Sequence, residues 1–485
     1  MGGFISTKID PTLRVLIDKR LTKSIASNEK EECFEDVIVE CEKQGKWSEL
    51  PSPPLEQIYS YVSRKDQFNM SLVCRTWCEG FYSPSVWRTF RFNLKDSQLS
   101  KDTCPVMKFV QKHSCMFRHI ELEGTHADNK GLKKNWCRHF IEFLQILTSS
   151  TQLISVKFRY FSYFLRHLDT PTYNDICREI LNFLASQRHL KRVEFDLCFF
   201  CFQESIEILR TLTENSRESL TQLVLRFFDD YDNMSQEQKS NLAQNFPANF
   251  PTLADLPSLT ILEIDYSLIF EIMVSPQSNN IQTMKRRQKR VLSKIILNYS
   301  HSCMEIEYLR GLTSTDWGFL QKLYPDLQIE FNFMSSSPSR RELEFFIVPN
   351  MPISRLEFIN DTFFPVLEIA VLSDHLLACK TNDHLVTLHL HWGEPIQHLS
   401  STFIPFLQAC RKLKCLELFI ISPTNGLDLL LKYWLENPHE SLEKVIIDVS
   451  NIRDEEDYPS LLNLTTECVS LLKLTGLNIR VDLHI

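Results

Sequence analysis

Glycine is scarce in this sequence, 11 residues of 485 against 34 phenylalanines. That scarcity argues against glycine-loop nucleotide binders and against all-β folds built from tight hairpins, which need backbone without a Cβ. No apolar run reaches the ~18 residues of a membrane span. The first residues are too polar for a secretory signal peptide, so none is expected. Basic charge is not in excess: the formal net charge is −8, which gives no global field for nucleic acid, and nucleic acid is not expected as a partner. The 15 cysteines form no compact framework and read as reduced thiols inside a cell. Only Cys198 and Cys201 make a CxxC, and structural zinc needs further ligands at comparable spacing. A phosphate-cradling glycine loop, a nucleophile elbow and an HExxH are all missing. The expectation is a protein without catalytic residues, metal or cofactor.

What is present is ordinary globular composition, 43% hydrophobic and 24% charged, at a length suited to two or three domains. The most informative stretch runs from Trp47 to Trp87. After Leu50-Pro51, the residues Leu55, Ile58, Tyr59 and Val62 lie at offsets of 0, 3, 4 and 7, one face of a helix. Pro53 and Pro54 suit a first turn, whose N–H groups have no intrahelical partner. A second helix is predicted from an Asp66 N-cap, carrying Phe68, Leu72, Val73 and Trp77, and a third from Ser83-Pro84 with Val86 and Trp87. Three such short helices carry more apolar surface than they can bury among themselves.

These residues resemble an F-box. The resemblance rests on Leu50-Pro51, Leu55, Ile58, Tyr59, Tyr61-Val62, Asp66, Val73-Cys74-Arg75, Trp77 and Val86-Trp87. Departures are mild: Pro53 replaces a usual acidic residue, Tyr59 a Phe, Val62 a Leu and Ser63 a Pro. The resemblance implies docking to the Skp adaptor of a cullin–RING ubiquitin ligase. Leu50, Pro51, Leu55, Ile58, Leu72, Val73 and Trp77 are the residues expected at the adaptor surface or as its immediate support.

Beyond a connector at 93–115, a triad of apolar residues at offsets 0, 3 and 5 recurs. It begins at Phe117, Leu153, Leu190, Leu220, Leu259, Ile353, Leu385, Leu413 and Leu442, with first positions 28 to 39 residues apart in the clear cases. Cys303-Ile306-Tyr308 and Leu327–Phe333 are poorer candidates for the gap. Helical segments lie between, such as the one with Ile176, Ile180, Phe183 and Leu184 on one face. Leu477, Ile479, Val481, Leu483 and Ile485 alternate as a terminal strand. The predicted fold class is therefore α/β: a three-helix F-box at 46–92, then an irregular leucine-rich-repeat solenoid over 116–485, parallel strands on its concave face and helices outside. The order resembles that of F-box proteins with leucine-rich repeats.

In each predicted strand, the residue between the last two apolar positions faces the concave side. These residues are Glu121, Lys157, Glu194, Val224, Glu263, Glu357, His389, Glu417 and Ile446. Two residues further lie Glu123, Asp196, Asp265, His391 and Asp448, with Arg159 and Arg226 as exceptions. Stacked carboxylates ~4.8 Å apart repel unless cations intervene, and Arg192 and Arg355 offer partial relief. Glu121, Glu194, Glu263, Glu357, His389 and Glu417 are thus the candidate contacts to a basic or polar segment of an unidentified substrate protein. The alternative is that they are solvated charges on an exposed face. His389 and His391 share a face, but a surface pair is the expectation without a third ligand.

Residues 1–45 are expected to be weakly ordered. MGGFISTK fits an N-myristoylation pattern with Gly2 as acceptor, and Lys8, Arg14, Lys19, Arg20 and Lys23 could supply the second, electrostatic signal that membrane contact requires. The run KRRQKR at 285–290 reads as a nuclear localisation signal, a nucleic-acid patch or the solvated side of a helix continuing through VLSKIIL. The C-terminal Leu483-His484-Ile485 could fit a PDZ-type groove, although a packed final strand is the simpler reading. The expected role is a non-catalytic substrate receptor of an SCF-type ubiquitin ligase, cytoplasmic with nuclear entry as a variant; a membrane-tethered F-box scaffold without ubiquitylation is the rival.

Overall fold

The computed structural model describes residues 47–94, 105–124, 130–229, 251–273, 291–300, 306–335, 338–360, 367–396, 399–422, 426–437, 441–452 and 457–484. Gly2, the basic run at 285–290 and the terminal Ile485 lie outside them. Three helices open the described chain: α1 (Ser52–Tyr61), α2 (Arg64–Ser71) and α3 (Arg75–Phe81). The prolines enter α1 in its first turn as expected.

The other two helices are placed differently from the sequence reading. Ser63, not Asp66, caps α2: its hydroxyl accepts from the Asp66 N–H and donates to the Asp66 carboxylate. The helix ends at Leu72, and extended Cys74 starts α3. The weak helix formers Val73 and Cys74 sit at this break. Ser83–Trp87 forms a turn closed by Val86 N–H to the Ser83 carbonyl, because the first strand follows at once and leaves no room for a helix.

Among the described residues, thirteen strands join one parallel sheet in chain order. They are β1 (Thr89–Phe92), β2 (His119–Glu123), β3 (Ser155–Arg159), β4 (Arg192–Asp196), β5 (Gln222–Arg226), β6 (Ile261–Asp265), β7 (Lys294–Ser300), β8 (Gln328–Ser335), β9 (Ile353–Asn360), β10 (Thr387–Pro395), β11 (Cys415–Ile421), β12 (Lys444–Ser450) and β13 (Asn478–Leu483). The longer helices between them include α4 (Pro105–His113), α5 (Lys130–Ser150), α6 (Thr170–Ser186) and α7 (Phe202–Asn215). Parallel neighbours require a return crossover, and helices supply it. The result is a leucine-rich-repeat-like α/β solenoid.

All nine clear triads lie on strands or at their entries, and their inward residues stack in register. Ile120, Val156, Val193, Leu223, Leu262 and Ile295 make one such row. Helix α6 buries Ile176, Ile180, Phe183 and Leu184, the face its spacing predicts. Two strands depart from what the sequence pattern predicts. VLSKIIL is not helical: Lys294 begins β7, whose Ile295, Leu297 and Tyr299 alternate inward. The weaker candidate at Ile306–Tyr308 is a 3₁₀ turn. Strand β1 lies at Thr89–Phe92, so the sheet starts inside the 46–92 segment and well before 116. The apolar core is continuous from Leu55 of α1 to Ile479 of β13.

Bulky Tyr160, Leu197 and Phe227 leave β3, β4 and β5 with φ of 58°, 56° and 45°. Where β2 ends, Gly124 donates its N–H to the Arg159 carbonyl at 2.8 Å. A Cβ there would sit 2.3 Å from the Tyr160 carbonyl oxygen, and that backbone is fixed by its own ladder bonds. Gly124→Ala is accordingly expected to cost about 1–3 kcal/mol, the range for overpacking, read as a lower urea midpoint. Gly318→Ala, whose new Cβ meets only the Asn350 amide at 3.7 Å, is the control for which no such loss is expected.

Candidate docking surfaces

Two surfaces follow from this fold: the outer side of the three-helix knob and the concave face of the sheet. Within the knob, Leu55 is 0% exposed and Tyr59 is equally buried. The Tyr59 hydroxyl donates to the Trp77 carbonyl at 2.7 Å, and the Gln67 amide donates to the Tyr59 carbonyl at 2.6 Å. Trp77, half-buried, donates its indole N–H to the Trp47 carbonyl at 2.9 Å. These bonds lock the three helices together.

The seven expected adaptor residues therefore divide. Leu55 belongs to the knob's own interior, and so stands among the supports of the expected surface and not on it. It is the inward residue of an amphipathic helix and packs against Gly80 of α3, where a Cβ would lie 2.7 Å from Leu55 Cδ2. Leu50, Ile58 and Trp77 are half-buried supports, and Pro51 is exposed. Leu72 and Val73 stand out at 70% and 65% exposure, because the break between α2 and α3 turns them outward. Trp47, Tyr61 and Phe68 are exposed too and lie outside those seven. Phe68 lies one turn before Leu72 on α2, an i, i+4 pair that the sequence does display.

The knob is tied to the sheet by Arg64. Its guanidinium donates to the carbonyls of Val86 at 3.2 Å and Thr89 at 2.7 Å, and lies 4.3 Å from the Trp87 ring centroid. Trp87 in turn packs on Phe109 of α4 at 4.3 Å.

On the concave face the six expected substrate contacts do line up, with Glu121 opposite Lys157, Lys157 opposite Glu194, and His389 between Glu357 and Glu417. They are not a bare acidic ladder. Glu121 bonds Arg159 at 2.9 Å; Glu357 bonds Arg355 at 3.1 Å; Glu417 bonds Lys444 at 2.8 Å. Glu263 meets Arg226 at 3.2 Å. Glu194, 1% exposed, is held by Lys157, by Arg192 at 3.1 Å and by Arg226 at 3.1 Å. Cations from the same or adjacent strands thus pair with the carboxylates.

Burial opposes ionisation of Glu194, but Lys157, Arg226 and Arg192 outweigh it and hold the carboxyl below the usual range. At Glu263 burial wins over Arg226, and the carboxyl is pushed up. Burial also lowers His389.

Among the described residues, His389, Cys415 and Glu417 bring three donor atoms within 4.8 Å of one another. Their lone pairs already face cations: Lys444 at Glu417, and Arg355 at 3.4 Å from His389 Nδ1. Burial and Glu417 both push the Cys415 thiol up, against thiolate ligation. No helix among the described residues is long and apolar enough to cross a membrane.

An exposed apolar helical knob fused to a parallel strand–helix solenoid defines the class: an F-box-like domain followed by a leucine-rich-repeat-like region. Comparison with known proteins agrees. Residues 47–93 match the F-box-like family model. The F-box/LRR-repeat protein 21 of Mus musculus is 33% identical over 81 residues, which cover 16% of this chain and 19% of the relative. Its counterparts in Bos taurus and Ovis aries are 31% and 30% identical over the same length and the same shares. The similarity therefore spans about a fifth of each curated relative.

Proposed function

We propose that this chain is a substrate-receptor subunit of an SCF-type ubiquitin ligase. The observation that carries the reading is the outward set of Phe68, Leu72 and Val73 on an F-box-like domain whose Leu55 and Tyr59 are already sealed. Exposed large apolar side chains of this kind mark a protein interface, and the family match indicates the Skp adaptor as the partner.

The chain's part in the reaction is proximity. Docked through the knob, it holds a client on the solenoid so that a client lysine stays at high effective concentration beside the ubiquitin carrier. Such a role needs a fixed spacing between the two ends. The Arg64 bonds and the core shared between Trp87, Phe90 and Phe109 supply it. Affinity purification with the proteasome blocked tests the reading, comparing the full chain with one lacking residues 47–88. Loss of the adaptor and cullin from the deletion, together with ubiquitin transfer to a co-purified client in the reconstituted complex, is the expected result. A client that binds and never receives ubiquitin would favour a scaffold instead.

A further inference from the structure

The carboxylates of the middle row are matched by lysine or arginine, whereas two positions further along the same face Asp448 is met by a histidine. In β10, Trp392 pairs with Ile420 and the next partner of Ile421 is Pro395. Gly393 and Glu394 are therefore inserted without partners, a bulge that parts β10 from β11. The parting opens a cleft of about 110 Å³ bordered by His391, Gly393, Phe419, Ile421, Asp448 and Ser450. His391, Phe419 and Asp448 are register neighbours across β10, β11 and β12, so the cleft lies on the concave face.

We propose that this cleft receives a basic side chain, arginine above lysine, of the protein segment bound by the solenoid. Its chemistry is that of a cation acceptor. Among the described residues that line it there is no lysine or arginine. The Asp448 carboxylate meets the exposed His484 imidazole at 3.2 Å, and its strand neighbour across β13 is a second carboxylate, Asp482, which already engages Arg480. Phe419, half-exposed, stands edge-on to His391 with ring centroids 5.9 Å apart. A guanidinium can lie against an aromatic face while its N–H groups fork onto a carboxylate, a geometry that an ammonium matches less well. At this volume the cleft is well below the ~300 Å³ at which small-molecule pockets begin, so it suits one side-chain head and not a free metabolite.

The inference rests on the solenoid being the client-binding part and specifies what that part selects. The test uses the full chain in complex with the adaptor, titrated by calorimetry with Nα-acetyl-arginine amide, Nα-acetyl-lysine amide and Nα-acetyl-norleucine amide. Arginine amide is expected to bind with a Kd on the order of 1–10 mM, as a single ion pair and stack allow. Lysine amide should bind several-fold more weakly, and norleucine amide should give no saturable heat. Asp448→Asn should weaken arginine amide at least about tenfold and Phe419→Ala severalfold, with adaptor recovery unchanged in both. Equal binding of norleucine amide, no binding of arginine amide to the wild-type complex, or an unchanged Kd in Asp448→Asn would each overturn the proposal. The adaptor reading fails on a different result, persistence of the complex when the knob's exposed side chains are charged, so the two failures are separable.

Discussion

A chain carrying Leu72→Asp and Val73→Asp together is expected to fold normally and to lose the Skp adaptor. Both side chains are mostly in solvent, so little packing within the chain is given up and the stability change should stay within about 0.5 kcal/mol. At the centre of an apolar interface the same changes are severe, because two carboxylates must be desolvated against greasy partner surface. Anchors of this kind are worth at least about 2 kcal/mol each on truncation. Together that is roughly a thousandfold loss of affinity. Binding to the purified adaptor and a urea melt on the same preparation check both halves. Normal binding with a normal melt would move the docking site away from this face. Leu55→Asp would also lose the adaptor, but by putting an unpaired charge into the sealed interior beside Gly80 and Tyr59, so it reports on folding and not on docking.

That contrast shows how far the sequence can be read. The spacing of Leu55, Ile58, Tyr59 and Val62 identifies an apolar helix face, yet an apolar face is what a small domain buries first. The docking residues are what remains, and these depend on a break at Val73-Cys74 that the pattern from Phe68 to Trp77 does not announce. The strands were legible where three apolar positions stood clear of other signals. Lys294–Ser300 was hidden because its alternation begins directly after a basic run that reads as helix. Thr89–Phe92 was hidden because four residues are too few to set a period. On the concave face, the outward positions were read correctly from alternation alone. Their pairing is legible only for Arg192 and Arg355 on the same strands; the rest depends on register between strands some thirty residues apart: Lys157 onto Glu194, Arg226 onto Glu194 and Glu263, Lys444 onto Glu417.

Glu194→Gln is the second change with a large expected effect, this time on stability. The amide keeps the shape and removes the negative charge on which Lys157, Arg192 and Arg226 converge. Breaking a buried charge cluster from one side typically costs 3–5 kcal/mol. The three cations here are partly hydrated, which reduces the figure to about 2–4 kcal/mol at neutral pH. The pH dependence fixes the sign. Because the folded carboxyl lies below its unfolded value, its stabilisation is complete above the ordinary glutamate range. It is lost as pH falls through the folded value, since the unfolded chain takes up the proton first. Glu263 runs the other way: its folded carboxyl is raised by burial, so the folded state takes up the proton first, and stability from this group is gained on acidification and lost as pH rises through the raised value. Urea midpoints between pH 3.5 and 7 should therefore show Glu194→Gln weaker at neutral pH with a flatter acid-side loss, and Glu263→Gln much less affected at neutral pH with a steeper one. Equal stability of Glu194→Gln and wild type at pH 7 would mean that the cations, not the carboxylate, set the energetics of this part of the face.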